Sequence, residues 1–364
     1  MAAAEVDFSW TLKINGAAME NFGNMVFSHK LSGYGTSGVL IKQFEFDLYD
    51  PNGQYASAIL PNVPVEVSCT FDTFYGEPFL DTIPKYYISK RTVSQNVCHF
   101  ICYDKLSTSD RQFDSSELSF TDNKIALSAL LPVVFAQCGI TEYGFSDNSG
   151  STLINFTKDQ LENCSCRNVL EEVAAAMCGV WVCTGSDKAI LSCFGHPYEH
   201  VGYVHSYAAI DNNGTQKITA LSMKNTTTGE IYSYSTGEYG IGINIDSAYA
   251  SEALAGCVWD RIQNYTYKAW NCSGAAVGQF IFTASKMYFY SDDKNYTEYI
   301  ANDVTIHADS TGVYFSGGSA AQDEETWKYS EYLDREKISV NQNIGNMAIT
   351  RNGRIVFRNL NQEA

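Results

Sequence analysis

Apolar and polar residues alternate through the first hundred positions in short bursts. The bursts fall at 8–14 (FSWTLKI), 24–32, 41–50 (IKQFEFDLYD), 63–72 (VPVEVSCTFD), 85–93 and 97–104. A period of two marks half-buried strands. Asn15-Gly16, Gly33 to Gly38, Pro51-Asn52-Gly53 and Gly76-Glu77-Pro78 punctuate them as turns. Six short strands at this spacing predict a small barrel or sandwich. Its best-patterned segment is YYISKRTVSQNVCHFICYDKL (86–106). This reads as a hairpin turning on Ser94-Gln95-Asn96, with Tyr87, Ser89 and Arg91 on one face and Tyr86, Ile88 and Lys90 on the other.

The period changes after residue 107. FTDNKIALSALLPVVFAQCGI predicts a helix from near Asp122 to a stop at Gly139, kinked where Pro132 removes a backbone donor. STLINF (151–156) reads as a strand. SCRNVLEEVAAAMCG carries the clearest helical pattern, with Ser165 as cap and Val169, Leu170, Val173, Ala174 and Met177 on one face. Gly179 is expected to supply its left-handed stop. A hairpin at 180–194 completes this unit. Strands then return at 201–210, 216–225, 229–236 and 241–245. A helical run follows at 247–265, striped by Ala250, Leu254, Val258 and Ile262. More strands are read at 279–284, 286–292 and 302–319. An acidic run at 321–338 precedes a last hairpin turning on Asn352-Gly353. The expected layout is a mainly β chain with an α/β insert. A first β-barrel domain spans 1–107. An α/β domain spans 108–196, with helices near 122–138 and 166–178. A second β-barrel spans 197–320 with the 247–265 helix inserted, and an acidic segment and hairpin span 321–364. No repeat of 20–50 residues is present.

Composition sharpens this reading. The chain has 364 residues, 45% of them apolar and 18% charged, so it folds, and it exceeds one core. Tyr (24) and Phe (20) are abundant and Pro (7) is scarce, which favours sheet. The net charge of −17 argues against a nucleic-acid-binding face or binding to anionic lipid. MAAAEVDFSW has neither the basic flank nor the apolar core of a signal peptide. No run reaches the ~20 apolar residues of a membrane span. The eleven cysteines form an odd set whose spacings match no disulfide framework, so reduced thiols and a reducing compartment are expected. Cys98 and Cys102 share a strand face but lie roughly 13 Å apart, beyond disulfide reach.

Candidate chemistry is sparse. His196-Pro197-Tyr198-Glu199-His200 has the H-x-x-E-H order of a zinc peptidase. That chemistry needs both histidines on one helix face, and Pro197 and the strand-like flanks deny it. A structural metal held by Cys193, His196 and His200 is a further reading, behind an ordinary pair of strand-end histidines. Cys164-Ser165-Cys166 precedes a helix whose dipole lowers thiol pKa values, and a reactive thiol there is the minor reading. There is no C-x-x-C pair, G-x-S-x-G elbow, phosphate loop or dinucleotide fingerprint. No catalytic residue, metal ligand or cofactor is assigned.

The order of parts does point somewhere. A β domain ends in YYISKRTVSQNVCHFICYDKLSTSDRQF. RNVLEEVAAAMCGVWVCTGSDKAILSCF follows, and later NDVTIHADSTGVYFSGGSAAQDEETWKYSEYLDREKI. This resembles the tail or baseplate hub proteins of phages and phage-tail-like bacteriocins. That family includes the hub of the large contractile coliphages and the N-terminal hub part of tail-associated lysins. Tyr87-Ile88 and Tyr103-Asp104 match the closing strands of the family's first barrel. Gly185-Ser186-Asp187 matches the tip of its second-domain hairpin.

The resemblance implies a non-enzymatic homotrimer in the virion tail, made in the bacterial host cytoplasm. Two similar barrels per subunit would give a pseudo-sixfold ring, seated on the tail tube or distal tail protein. The other face would hold the tape measure protein or central spike, and receptor-binding fibres. Any wall-cutting activity is expected on another polypeptide. Barrel sheet edges would carry the tube contacts, with Thr11 and Phe46 as the candidate assembly positions. The competing class is an extracellular carbohydrate-binding or adhesin module, which explains the aromatics and the Asn/Thr-rich loops but not the cysteines.

Overall fold

The computed structural model describes residues 5–30, 37–55, 61–72, 85–185, 187–196, 198–205, 209–263, 265–274, 285–290, 296–300, 303–309, 312–318, 347–349 and 354–357. The first β region holds β1 (Glu5–Ile14), β2 (Ala17–Met19), β3 (Phe22–Lys30), β4 (Gln43–Tyr49), β5 (Pro64–Asp72), β6 (Tyr86–Ser94) and β7 (Val97–Tyr103). The insert holds β8 (Lys124–Ala126), α1 (Leu127–Cys138), β9 (Tyr143–Phe145), β10 (Asn155–Thr157), α2 (Cys166–Met177), β11 (Gly179–Cys183) and β12 (Ala189–Cys193). Next come β13 (Tyr198–His205), β14 (Ala209–Asn225), β15 (Ile231–Ser235), β16 (Ile241–Ser247) and α3 (Glu252–Ile262). The remaining strands are β17 (Thr266–Gly274), β18 (Ser285–Tyr290), β19 (Tyr296–Ile300), β20 (Asp303–Asp309), β21 (Gly312–Gly318), β22 (Met347–Ile349) and β23 (Arg354–Phe357). The architecture is mainly β with an α/β insert. The 279–284 run and the acidic 321–338 run lie outside the described residues.

One sheet runs in the order β15-β14-β17-β21-β20-β3-β4-β7-β6-β5-β1-β23-β22. It joins strands expected in two separate barrels. β20 pairs with β3, Ile306 opposite Phe27, and so flanks the first β region from 279 residues downstream by that register. The C-terminal hairpin β22–β23 is present, and β23 pairs with β1, Val356 opposite Glu5. Among the described strands the ladder is open, yet its first region curls. Trp10 of β1 stacks on Phe27 of β3 at 5.9 Å between ring centroids, although four strands separate them along the sheet. Phe27, Phe44, Phe46 and Phe100 continue the aromatic column, each ring 4.4–5.2 Å from the next. Stacked ring packing of this kind adds to plain area burial.

The β6–β7 hairpin turns at Gln95-Asn96, with Gln95 at φ 52°. Its faces differ from simple alternation. Ile88 lies opposite Cys102 but Lys90 lies opposite Ile101, so Ser89 is a bulge. One extra residue reverses the phase beyond it. Arg91 therefore sits opposite buried Phe100, on the face of Tyr86 and Ile88, and donates to the Tyr55 carbonyl at 3.2 Å.

The insert departs from expectation at its first helix. Asp122 and Asn123 take φ of 51° and 60°, and Lys124–Ala126 pairs with Asn155–Thr157, Ile125 opposite Phe156. The helix thus starts at Leu127, continues through Pro132 and ends on Gly139 at φ 68°. The expected strand at 151–156 is a 3-10 turn at Ser151–Leu153 followed by β10. The later helix is shorter than 247–265: Ser247 closes β16, and Ser251 caps the helix by accepting from Leu254 N at 3.2 Å.

The expected boundary at 196 is not a boundary of packing. Leu130, Phe135, Leu170, Trp181 and Leu191 share one buried cluster with Ile218, Leu221, Ile243, Leu254 and Val258. Arg261 of α3 is buried and ties the halves together. Its Nε donates to the Phe194 carbonyl at 2.9 Å and its Nη2 to the Met177 carbonyl.

Candidate functional site: an assembly surface and a buried polar joint

Thr11 lies mid-strand on β1, opposite Ser68 of β5, and its side chain is exposed. The other edge of β1 pairs with β23 at residues 5–7 and with β2 at 12–14. Among the described residues, Thr11 thus lies on the stretch of this edge between two short partners. Phe46 is 0% exposed, stacked between Phe44 and Phe100. β4 is paired on both sides, by β3 and β7. A change at Phe46 acts on docking only through the stability of this strand. Pattern reading placed both residues on strands but could not tell an outward face from an inward one without the register.

The YDKL end of the hairpin has a structural task that pattern alone does not show. Asp104 is 0% exposed and Lys42 1% exposed. Asp104 Oδ2 accepts from Lys42 N at 3.1 Å, and Asp104 N donates to the Lys42 carbonyl at 3.0 Å. Asp104 Oδ1 accepts from Leu106 N at 3.1 Å and so caps the 3-10 turn Lys105–Asp110. Lys42 Nζ reaches into the insert and donates to the Cys183 carbonyl at 2.6 Å. Beside it, Leu40 N donates to Trp181 O at 2.9 Å and Trp181 N to Gly38 O at 3.0 Å, so residues 38–40 extend the β11–β12 sheet before the chain enters β4. Leu40, Val180, Val182 and Ile190 form a small apolar cluster there. Tyr87 OH donates to Asp187 at 2.7 Å, closing the joint at the hairpin tip.

The electrostatics follow from burial. Desolvation pushes the Asp104 carboxyl up to about 7, with Lys42 and the two amide donors pulling the other way. His29, buried with Nε2 at 3.2 Å from Tyr86 OH, is held well below its usual range by desolvation and by the Lys42 charge. Burial likewise raises Tyr86. His29, Lys42, Tyr87 and Asp104 each make at least one hydrogen bond, which offsets part of the desolvation at this joint. The arrangement holds two regions in a fixed relation, and no pair in it presents a nucleophile to solvent.

The H-x-x-E-H segment does not form a two-histidine helical face. Tyr198–His205 is strand β13, His196 lies in the preceding turn, and Pro197 lies outside the described residues. His196, 63% exposed at its side chain, pairs through Nδ1 with Asp147 Oδ2 at 3.2 Å. Arg261 Nη1 is 3.8 Å from the same oxygen. Burial of Asp147 opposes ionisation, but hydrogen bonds from Ser149 and the charges of Arg261 and His196 outweigh it and hold this carboxyl below its usual range. A hollow of about 510 Å³ beside them is lined by Phe145, Ser146, Asp147, Asn148, Ser149 and His196. Cys193 is buried under it, its thiol raised by desolvation and donating to Asp147 O at 3.2 Å. Among the described residues, no three His, Cys, Asp or Glu side chains converge as a metal set.

No protein-family model matches the chain. No curated protein matches it in sequence. Solved structures do match in fold. The tail protein from Neisseria meningitidis MC58 superposes with a TM-score of 0.51 at 8% identity, covering 86% of this chain and 96% of that one. The prophage MuSo2 43 kDa tail protein from Shewanella oneidensis gives a TM-score of 0.47 at 12% identity, covering 87% and 98%. The chain thus shares its fold with the Neisseria meningitidis tail protein over 86% of its own length and 96% of that chain. The likeness to tail proteins read from the order of sequence segments is matched in fold by the Neisseria meningitidis structure.

Proposed function

We propose that this chain is a structural subunit of a phage tail tip or baseplate, a hub that joins the tail tube or distal tail ring to the spike, tape measure protein or fibres. It works as a homotrimeric ring in the virion tail, without a cofactor or hydrolytic chemistry of its own. The observation that carries this reading is the tail-protein fold over 86% of the chain. The buried joint at Lys42 and Asp104 fits the same role, because a ring segment must pass load between its regions without hinging. Closed symmetry then buries complementary faces between copies. Two β regions per subunit would supply the near-equivalent faces that seat a threefold hub on a sixfold tube. Thr11, exposed between the short strands β2 and β23, is the assigned contact on the first of them.

The test is mass in solution joined to imaging. Light scattering should give three times the 40.3 kDa chain mass, and negative-stain micrographs should show rings. One chain mass at every concentration, with no rings when the tube or distal tail protein is added, overturns the hub reading.

A further inference from the structure

We propose that the hollow between Phe145 and His196 is a binding site for a neutral saccharide, a function separate from assembly. The hollow lies outside the carboxyl ends of two parallel strands. β9 and β12 run side by side with Phe145 opposite Leu191, and the chain leaves them as two different loops, 146–149 and 194–196. Parallel neighbours whose following loops part leave a crevice at that end. Its volume of about 510 Å³ falls within the range of small-ligand sites and takes about one or two hexose rings.

The two loops are laced together by the fold itself. Ser146 N donates to Leu191 O at 2.9 Å. Ser146 Oγ donates to the His196 carbonyl at 2.6 Å and accepts from Cys193 N at 2.8 Å. His196 N donates to Cys193 O at 3.1 Å, and Phe194 N to Cys178 O at 2.8 Å. Gly195 takes φ 90°, and a Cβ there would lie 2.8 Å from the Arg261 carbonyl, so the second loop is seated against the end of α3. Loops fixed in this way carry little ordering cost when a ligand arrives.

The groups lining the hollow select the ligand. Asp147 is the one carboxylate among them, and its charge is already met. His196 Nδ1 lies 3.2 Å from Asp147 Oδ2, and Nη1 of the buried Arg261 guanidinium lies 3.8 Å from the same oxygen. An ionised carboxylate only accepts, so Nδ1 carries the shared proton and Nε2 is the second hydrogen-bonding atom of an exposed ring. A cationic ligand finds no open countercharge here. An anionic one meets Asp147 and a chain of net charge −17. What remains is neutral hydrogen-bonding capacity: the Asn148 amide and the Ser149 hydroxyl, both exposed, together with the His196 ring. Each matches a sugar hydroxyl, which is one donor and a double acceptor. Phe145 lines the same hollow, half-buried, with its ring 5.6 Å from that of Trp181. The negative face of an aromatic ring suits the C–H side of a pyranose. A saccharide presents both sides at once, hydroxyls for the polar wall and C–H groups for the ring.

Saturation-transfer NMR on the full chain tests this, with glucose, galactose and N-acetylglucosamine as probes. At least one of them should take up saturation on its ring C–H protons, with a dissociation constant in the range of about 0.1–5 mM. Glucuronate and protonated glucosamine should bind about tenfold more weakly than the neutral sugar. The double variant Asn148→Ala, His196→Ala changes two exposed side chains and should weaken binding by about tenfold or more. Tyr239→Ala, which truncates a 97% exposed aromatic in the turn between β15 and β16, should leave it unchanged. No transfer to any neutral sugar, equal binding of the charged relatives, or transfer that survives the double variant overturns the proposal. Transfer to N-methylacetamide in place of the sugars marks a socket for a protein loop and overturns it too. Light scattering on the same samples keeps the two readings apart: trimers without sugar binding overturn only this site, and sugar binding without trimers overturns only the hub.

Discussion

At the scale of single residues, the joint makes two opposing pH signatures. Asp104 has a folded-state pKa of about 7 against 3.8 in the free side chain. The folded form holds the proton longer, so this contribution to stability is full below about pH 3.8 and is lost as pH rises through about 7. His29 acts with the opposite sign. Its imidazole is kept neutral, so its contribution is full above 6.5 and lost as pH falls below that value. Asp104→Asn removes the first slope and keeps the second. The variant should gain stability relative to the wild type as pH climbs from about 4 to about 7, read by urea unfolding at several pH values; parallel profiles would show that Asp104 ionises freely in the fold. Phe46 and Thr11 separate in the same way. Phe46→Ala should cost about 3–5 kcal/mol by emptying the aromatic column. Thr11→Glu should leave the thermal midpoint within about 1 °C of wild type, a surface change well under 0.5 kcal/mol, yet lower the mass expected in light scattering for the proposed homotrimer. An equal loss of stability in both variants would remove the distinction.

At the scale of elements, α2 was legible because its signals are local. Ser165 accepts from Asn168 N at 3.1 Å, Asn168 returns the bond to Ser165 N at 2.9 Å, and the apolar face falls where the period places it. Ser165→Ala should cost about 1 kcal/mol in chemical unfolding. Its stop was misplaced by one residue. Cys178, not Gly179, takes the left-handed turn at φ 50°. Gly179 is needed for something else: a Cβ there would meet Ser192 O at 2.8 Å in the facing strand, so the glycine lets β11 approach β12. The Ser89 bulge and the β8–β10 pairing were illegible for a related reason. Each is decided by a partner strand, and a period read along one strand carries no register. The joint was hidden more deeply still: Lys42 reads as an ordinary polar position in an alternating strand, and its acceptor lies 141 residues away.

At the scale of the molecule, the order of segments was more legible than their limits. A β region, an α/β insert and a return to strands were readable from composition and period. The shared core across residue 196 was not, because Ile218, Leu221 and Val258 look like the core of whatever unit they are assigned to. Those residues belong to the same buried cluster as Val169, Leu170, Trp181 and Leu191. A fragment of residues 108–196 should therefore lack a cooperative thermal transition, whereas the whole chain unfolds with these two parts together. A sharp transition in that fragment would mean that the cluster is two cores in contact.

The pairing of β20 with β3, and of β23 with β1, also sets an order in time. Strands made first must wait for partners made last. At ~5–20 residues per second on the ribosome, β3 stands beside an unfilled place for roughly 15–60 s before residue 303 is synthesised. Through that interval the nascent chain carries open backbone edges that can pair with a neighbouring copy. Slower growth temperature or a holding chaperone should therefore raise the soluble yield of this protein more than it raises that of a chain whose sheets close locally. Early termination near residue 300 should yield aggregate.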